Sequence, residues 1–219
     1  MNLATVSRIV AAWVCLGWLS ACPSSAAQMT RLVAVKGKIR IEGTSNIDSW
    51  QVESKSVSGF LQAGPELTAN GAQKLAPGPV EARGEVLVET SSLKSVEKDG
   101  KPFSNKMDEI MYGALRAREN PKIIFRLNRL ILRVPARVGR SPSEYEAQGQ
   151  LVVAGVANDT TLRVSLEELA GNQVRIWGTT TLKMTDFRVE PPSPTIALGL
   201  IKTGDEVRLS YEWVLARQR

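Results

Sequence analysis

The sequence of this 219-residue chain predicts a mainly β protein, built from short antiparallel strands as a sandwich or a barrel and carrying one short amphipathic helix. Three observations support this prediction. Apolar residues recur at every second position in most runs after residue 31, which is the period of a strand with one buried face. Glycine, proline, Asn or Asp separates most of these runs, and a single segment has a helical period instead.

The composition is that of an ordinary globular domain, long enough to bury one hydrophobic core. Hydrophobic residues make up 43% and charged residues 23% of the chain. The chain has no histidine, which removes the commonest metal ligand and the usual general base at neutral pH. The formal charge of +6 is modest and interleaved with acids, whereas nucleic-acid binding needs a tighter basic stripe. We therefore expect no nucleic-acid partner, no metal site and no cofactor.

Residues 1–21 are predicted to be a signal peptide, with an alternative end at residue 27. Arg8 supplies the positive start, and the apolar run at residues 9–19 is too short to span a bilayer comfortably. Residues 22–30 are then a flexible linker, and residues 31–217 form the folded domain. The protein is expected to be exported.

Two cleavage sites compete in this segment. "LSAC", residues 19–22, resembles the lipobox of bacterial lipoproteins, in which Cys22 becomes the acylated N-terminus. "SSAAQ", residues 24–28, has the small residues that an ordinary signal peptidase prefers, and cleavage there releases a soluble protein near Gln28. In both cases Cys15 is removed, so no free thiol enters an oxidising compartment.

The predicted strands alternate apolar and polar residues. In the first, "LVAVKGKIRIEG" at residues 32–43, the period assigns Val33, Val35, Ile39 and Ile41 to one face. Similar runs predict strands at 84–90, 122–134, 145–154, 160–168 and 173–184. The last, "EVRLSYEWVL", alternates more regularly, and its apolar face comprises Val207, Leu209, Tyr211, Trp213 and Leu215. Turn residues such as "KLAPGP", "AGN" and "TGD" separate the strands.

One segment predicts an amphipathic helix over residues 104–118, with Ser104 or Asn105 as its cap and Asn120-Pro121 as its stop. Its apolar positions follow the helical period: Met107, Ile110, Met111, Ala114 and Leu115. The favoured interpretation is a helix that closes one end of the β structure. A second, compatible interpretation makes the two methionines part of an adaptable apolar lining.

The segment "LKMTDFRVEPPSP", residues 182–194, raises the question of catalysis. Asp186 and Glu190 could form the acid pair of a carboxylate hydrolase, but two residues four positions apart beside a Pro-Pro break do not fix the separation that such chemistry needs. The favoured interpretation is structural. Asp186 accepts hydrogen bonds from local backbone amides or an arginine, Phe187 packs inward, and Pro191-Pro192 keep the strand exit extended.

Four blocks stand in order along residues 33–215 and together resemble the YceI-like family. They are "RIEGTSNIDSWQVESKSVSGFL", "SLKS" with "MDEIMYGALRARENPKIIFRLNRL", "AQGQLVVAGVANDTTLRVSL", and "VRIWGTTTLKMTDFRVEPPS" with "GLIKTGDEVRLSYEWVL". The resemblance implies an extended, lipocalin-like antiparallel barrel whose deep apolar tunnel binds a polyisoprenoid chain, such as a quinone tail, in the bacterial periplasm. Many relatives read "GTSTLHDW" where this chain reads "GTSNIDSW", so Asp48 replaces their histidine and Ser49 their aspartate.

The predicted function is therefore an exported, non-enzymatic lipid-binding protein, located in the periplasm or cell envelope. Its partner is an isoprenoid lipid, and membrane contact is expected only through an acyl chain on Cys22. The alternative is an envelope structural or interaction protein with a filled barrel and no ligand. The apolar residues predicted to line the tunnel are Ile39, Ile41, Met107, Met111, Phe125, Leu127, Val207, Leu209 and Trp213.

Overall fold

The computed structural model describes residues 29–64, 67, 76–137, 141–193 and 201–218. Within these residues the chain forms eleven strands and one α-helix, α1 (Asn105–Ala114). The strands are β1 (Thr30–Ser45), β2 (Ser49–Ser54), β3 (Val57–Ala63), β4 (Gly78–Val80), β5 (Ala82–Glu89), β6 (Lys94–Val96), β7 (Lys122–Val134), β8 (Ser143–Val153), β9 (Val156–Leu169), β10 (Gln173–Lys183) and β11 (Thr203–Arg217). The predicted signal peptide, Cys22 and both cleavage sites lie outside the described residues.

Eight of these strands close into an antiparallel barrel. They pair in the order β11, β10, β9, β8, β7, β5, β3 and β1, and β1 pairs again with β11, which places Ile39 opposite Tyr211. The short strands lie off this ring: β2 pairs with β1, β6 with β2, and β4 with β7. The predicted fold class, a mainly β antiparallel barrel with one short helix near one end, is confirmed.

The barrel has an open end, the mouth, and a sealed end, the floor. At the mouth β1 ends at Ser45, opposite Thr203 at the start of β11. At the floor the pairing of these two strands begins with Leu32 opposite Arg217. Four leucines at the floor are at most 1% exposed, and they close the interior there: Leu32, Leu67, Leu132 and Leu215.

The prediction that Val33 and Val35 share a face with Ile39 and Ile41 is wrong. Near the floor the inward residues of β1 are Leu32 and Ala34, and Val35 is 57% exposed. The register between β1 and β11 shifts between Ala34 and Lys36. Such a β-bulge adds one residue to one strand, so the inward face passes from even to odd positions.

The other strand predictions are confirmed in position, but β2, β3, β4 and β6 were not predicted. Serine and glycine interrupt the apolar alternation in β2 and β3, and β4 and β6 have three residues each. Two turn predictions are wrong: Gly78-Pro79 of "KLAPGP" lies in β4, and "TGD" opens β11. Pairing with neighbouring strands outweighs local turn preference at both sites.

The predicted helix exists, but it ends at Ala114 and not at residue 118. Ser104 is the cap, because its hydroxyl accepts a hydrogen bond of 3.4 Å from the amide of Met107. Beyond the helix the chain continues in turns, and Arg116 has a left-handed φ of 49°. A non-glycine residue in this conformation cannot continue a right-handed helix, which explains the early end.

Candidate functional site

A cavity of about 980 Å³ occupies the interior of the barrel and opens at the mouth. The structure places all nine residues of the predicted lining in its wall: Ile39, Ile41, Met107, Met111, Phe125, Leu127, Val207, Leu209 and Trp213. They come from β1, β7, β11 and α1, so residues far apart in sequence meet around one space. Their contact with a ligand stays a prediction.

The wall also contains apolar residues that the sequence analysis did not name. Those on β5, β8, β9 and β10 follow the same alternation as the predicted strands, so parity alone could have identified them. They include Val86, Val88, Ala147, Leu151, Leu162, Val164, Leu166, Ile176 and Leu182. Val52, Val57 and Leu61 come from β2 and β3, which lack a clear strand signal.

Three aromatic residues of the wall lie against glycines of the barrel. A Cβ atom at Gly43 would overlap the ring of Trp50, and one at Gly149 would come within 2.8 Å of the Phe125 ring. At Gly178 the same atom would lie 2.5 Å from the hydroxyl of Tyr211. Since glycine has no side chain, each large ring can fold against the wall, and the centre of the barrel stays open.

The helix α1 lies across part of the mouth. Its apolar residues Met107, Ile110, Met111 and Ala114 line the cavity, and an adaptable role of the two methionines stays a prediction. Asp108 is 5% exposed, and its carboxylate accepts a hydrogen bond of 2.7 Å from the amide of Ser95. Sequence reasoning missed this contact, which attaches the helix to β6.

A second polar group strengthens the same attachment. The ammonium of Lys94 lies 3.3 Å from the Asp108 carboxylate and 5.3 Å from the centre of the Tyr112 ring. The Tyr112 hydroxyl and the Asp108 carboxylate beside it raise the pKa of Lys94. The Tyr112 hydroxyl also lies 2.7 Å from the carbonyl oxygen of Leu93. These contacts fix the position of α1 relative to the mouth.

Charged residues line the mouth, where the β1–β2 turn faces the loop after β6. Asp48 and Ser49, which replace the histidine and aspartate of many relatives, both line this opening. The Asp48 carboxylate accepts a hydrogen bond of 2.7 Å from the amide of Ser49 and lies 3.9 Å from the ammonium of Lys98. The residues of that block therefore lie at the open end of the cavity.

Polar atoms also lie at the deep end of the cavity. Tyr145 and Trp213 line it and are 2% and 7% exposed, and Ser143 lies beside Tyr145 at 1%. The Tyr145 hydroxyl interacts with the side chain of Ser143, and among the described residues the indole nitrogen of Trp213 has no hydrogen-bond partner. Burial raises the pKa of Tyr145, so its phenol stays neutral. The sequence analysis did not identify Tyr145 or Ser143 as residues of this region.

The structural interpretation of the 182–194 segment is correct for Phe187 and wrong for Asp186. Phe187 is 4% exposed and lines the cavity, in a short 3₁₀ helix, Thr185–Phe187. The Asp186 side chain is exposed. The carboxylate that accepts the local hydrogen bonds belongs to Asp205, and its donors are the amide (2.9 Å) and the hydroxyl (2.6 Å) of Thr185. Asp186 and Glu190 both face solvent, and neither lines the cavity.

In the described part of the chain, no three acidic or cysteine side chains lie close enough together to hold a metal ion. None of the helices in that part is long and apolar enough to cross a membrane.

Sequence comparison matches a family model described as YceI-like domain to residues 24–215. No curated protein matches the chain at a significant level.

Several solved structures have a similar fold. BcnA of Burkholderia cenocepacia superposes with a TM-score of 0.58 at 17% identity, over 81% of this chain and 95% of that one. A polyisoprenoid binding domain from Saccharophagus degradans, implicated in plant cell wall breakdown, gives 0.59 at 8% identity, over 87% and 100%. A YCEI protein of Campylobacter jejuni gives 0.53 at 16% identity, over 77% and 84%. At these identities the likeness establishes a shared fold.

Proposed function

The chain belongs to the YceI-like family, and from this premise we propose that it binds the chain of a polyisoprenoid lipid, such as a quinone tail, inside its barrel. One observation carries the proposal: a closed barrel encloses an apolar cavity of about 980 Å³ that is open at one end and sealed at the other. The polyisoprenoid binding domain of similar fold supports this ligand class.

The shape of the cavity suits a long hydrocarbon chain. Along β11 alone, Val207, Leu209, Tyr211 and Trp213 line it at every second position. The six residue steps from Val207 to Trp213 span about 20 Å, so the apolar wall is long enough to lie along an extended hydrocarbon chain. An isoprenoid tail has no hydrogen-bonding groups, and each CH₂ that it buries contributes about 0.8 kcal/mol. Because most of the lining is apolar, burial of the hydrocarbon in this cavity provides that gain.

The alternative, an envelope scaffold with a filled barrel, requires side chains to occupy the interior. Gly43, Gly149 and Gly178 instead give room for neighbouring rings to fold back against the wall. The volume that remains is near the upper end of the range of small-molecule sites, about 300–1,000 Å³. This space favours a carrier over a scaffold.

We do not assign catalysis to the cavity. The acids that the sequence suggested for a hydrolase, Asp186 and Glu190, lie outside it. Holding, protecting or transferring a lipid requires only burial and release. Export to the periplasm or cell envelope is part of the proposal and rests on the sequence of residues 1–28.

Native mass spectrometry of the purified protein, followed by solvent extraction and identification of the released lipid, tests the proposal. We expect one isoprenoid molecule per protein chain, and we expect unfolding or extraction with organic solvent to release it. A chain that purifies without any bound lipid, and that takes up none from detergent micelles containing a polyprenol, would contradict it.

A further inference from the structure

Two large apolar side chains project into solvent from the mouth of the cavity. Ile47 is 67% exposed and Phe103 is 59% exposed, and both also line the opening. Ile47 lies in the turn between β1 and β2, and Phe103 in the loop that leads from β6 to α1. Exposed apolar residues cost free energy in water, so a pair at the entrance of an apolar cavity indicates an interaction surface.

Hydrogen bonds fix the backbone at both of these positions. The hydroxyl of Ser45 accepts from the amides of Ile47 (3.3 Å) and Asp48 (3.1 Å), which fixes the turn. The amide of Phe103 donates to the carbonyl oxygen of Ser95 at 2.9 Å. The backbone is therefore fixed on both sides of the opening, at the positions from which the two side chains project.

The charges around this apolar pair are balanced. Lys98 lies 3.9 Å from Asp48, an ion pair that joins the two loops, and Lys101 lies 2.6 Å from Asp99. All four side chains are exposed, so acids and bases alternate over the rim. Such a rim matches lipid headgroups that carry both a positive and a negative charge. It has no excess charge that would attract a strongly acidic or strongly basic partner protein.

We propose that Ile47 and Phe103 dock the mouth of the barrel on a lipid bilayer, where they insert among the headgroups and bring the opening to the acyl chains. This inference rests on the proposed function, since a bilayer is the place where an isoprenoid chain is stored. A chain that passes directly from the acyl region into the cavity never exposes its hydrocarbon to water. Docking therefore speeds loading without changing how much ligand the cavity holds.

β1 begins at Thr30, at the floor of the barrel and opposite the mouth. An acyl chain on Cys22 would hold the protein on a membrane by itself and would mask the contribution of the mouth. The test therefore uses the full chain with Cys22→Ser in every arm. Phosphatidylcholine vesicles that contain a fluorescent polyprenol are mixed with the protein, and the rate of polyprenol uptake is followed at several vesicle concentrations.

The variant carries Ile47→Asp and Phe103→Asp, and the matched control carries Val35→Asp, because Val35 is 57% exposed but lies near the floor. We expect the wild-type rate to rise with vesicle concentration, the mouth variant to load about tenfold more slowly or worse, and the control to match the wild type. All three should take up the same amount of polyprenol from detergent micelles.

Equal vesicle rates in the mouth variant and the wild type would overturn the docking surface. So would a wild-type rate that does not depend on vesicle concentration, or one that needs an added protein partner. If even the wild type takes up no polyprenol from micelles, the proposed function fails first, and this outcome is distinguishable because it does not depend on vesicles.

Discussion

The hydroxyl end of the Tyr211 ring lies directly over Gly178, in the wall of the cavity. Tyr211 donates a hydrogen bond of 2.9 Å to the carbonyl oxygen of Arg163, which is within reach only because position 178 has no side chain. Burial raises the pKa of Tyr211 above its ordinary value, so its hydroxyl remains a donor at any physiological pH. A polar aromatic residue thus lies in an apolar wall with its hydrogen bond satisfied.

Gly178→Ala should destabilise the protein by about 1–3 kcal/mol, because the added methyl group overlaps both the Tyr211 hydroxyl and the Arg163 carbonyl. Chemical denaturation measures the change. Gly113→Ala is the control: Gly113 is exposed in α1 with open space around it, so alanine there should stabilise by about 0.5–1 kcal/mol. Equal effects at the two positions would show that the close approach at Gly178 is unimportant.

Leu209→Lys should abolish retention of a co-purifying isoprenoid. Leu209 lines the cavity, and an unpaired ammonium in an apolar interior has neither water nor a counter-charge to solvate it. Arg208→Glu changes a charge at the next position, on the exposed outer face, and should leave retention intact. Phe125→Asp should behave like Leu209→Lys.

Lipid content by mass spectrometry is compared for these variants, with circular dichroism confirming the barrel in each. Leu209→Ala removes volume without adding charge and should retain most of the ligand. Well-folded charged variants that still carry lipid at wild-type stoichiometry would contradict the assignment of the cavity as the binding site.

Asp108→Ala should loosen α1 from the mouth. The substitution leaves the buried amide of Ser95 without its 2.7 Å partner, at a cost of about 1–3 kcal/mol. Hydrogen exchange across Asn105–Ala114 should become faster while the barrel strands keep their protection. Glu109→Ala, at the exposed neighbouring position, should change stability by less than about 0.5 kcal/mol. Similar exchange in both variants would show that Asp108 does not hold the helix.

Glu53 should make the stability of the barrel depend on pH. Its side chain is 9% exposed and lies 3.0 Å from the ammonium of Lys38 and 2.6 Å from the Nε of Arg40. Burial acts to raise the pKa of Glu53, but the hydrogen bonds and charges of Lys38 and Arg40 outweigh it, so the pKa lies below its ordinary value of 4.5. The folded protein therefore takes up this proton less readily than the unfolded chain does.

This contribution is fully present above pH 4.5 and is lost as the pH falls from there through the lowered pKa of the folded state. Glu53→Gln should be less stable than the wild type at neutral pH, and the gap should narrow in acid. Urea denaturation at a series of pH values measures the gap. A gap that is constant from neutral pH into acid would show that the ion pairs of Glu53 contribute nothing.

Cys22→Ser should convert a membrane-bound protein into a soluble one if the "LSAC" site is used. Intact mass of the membrane-extracted wild type would then show a chain that begins at Cys22 with added acyl mass. A wild-type product that is soluble and begins near Gln28 would contradict the lipobox and support cleavage within "SSAAQ".

Alternation along the chain was enough to predict most of the barrel strands and the direction of their side chains. In β11 the period of two assigned Val207, Leu209 and Trp213 to one face, and all three lie in the cavity wall. The prediction succeeded because pleating places successive side chains on opposite faces in any strand, whatever it pairs with. The helical period of residues 104–118 identified α1 for the same kind of reason.

Contacts between residues distant in sequence could not be predicted in this way. The bulge that turns Val35 outward exists because β1 must match β11 across the barrel, and Asp205 replaces Asp186 as the local acceptor because β11 starts beside Thr185. Neither effect has a signal in the neighbouring residues, since both depend on which strands become partners.

The sequence by itself determined most of the barrel strands, the inward face of β11, the helix and, through four blocks in register, the family. Only the tertiary structure decided that the barrel is hollow. An open and a filled barrel share the same alternation, and the difference lies in whether large side chains such as Trp50, Phe125 and Tyr211 cross the centre or fold against the wall. Here each ring folds against the wall because it lies over a glycine of a neighbouring strand: Gly43, Gly149 or Gly178. These contacts form only when the strands pair and the barrel closes.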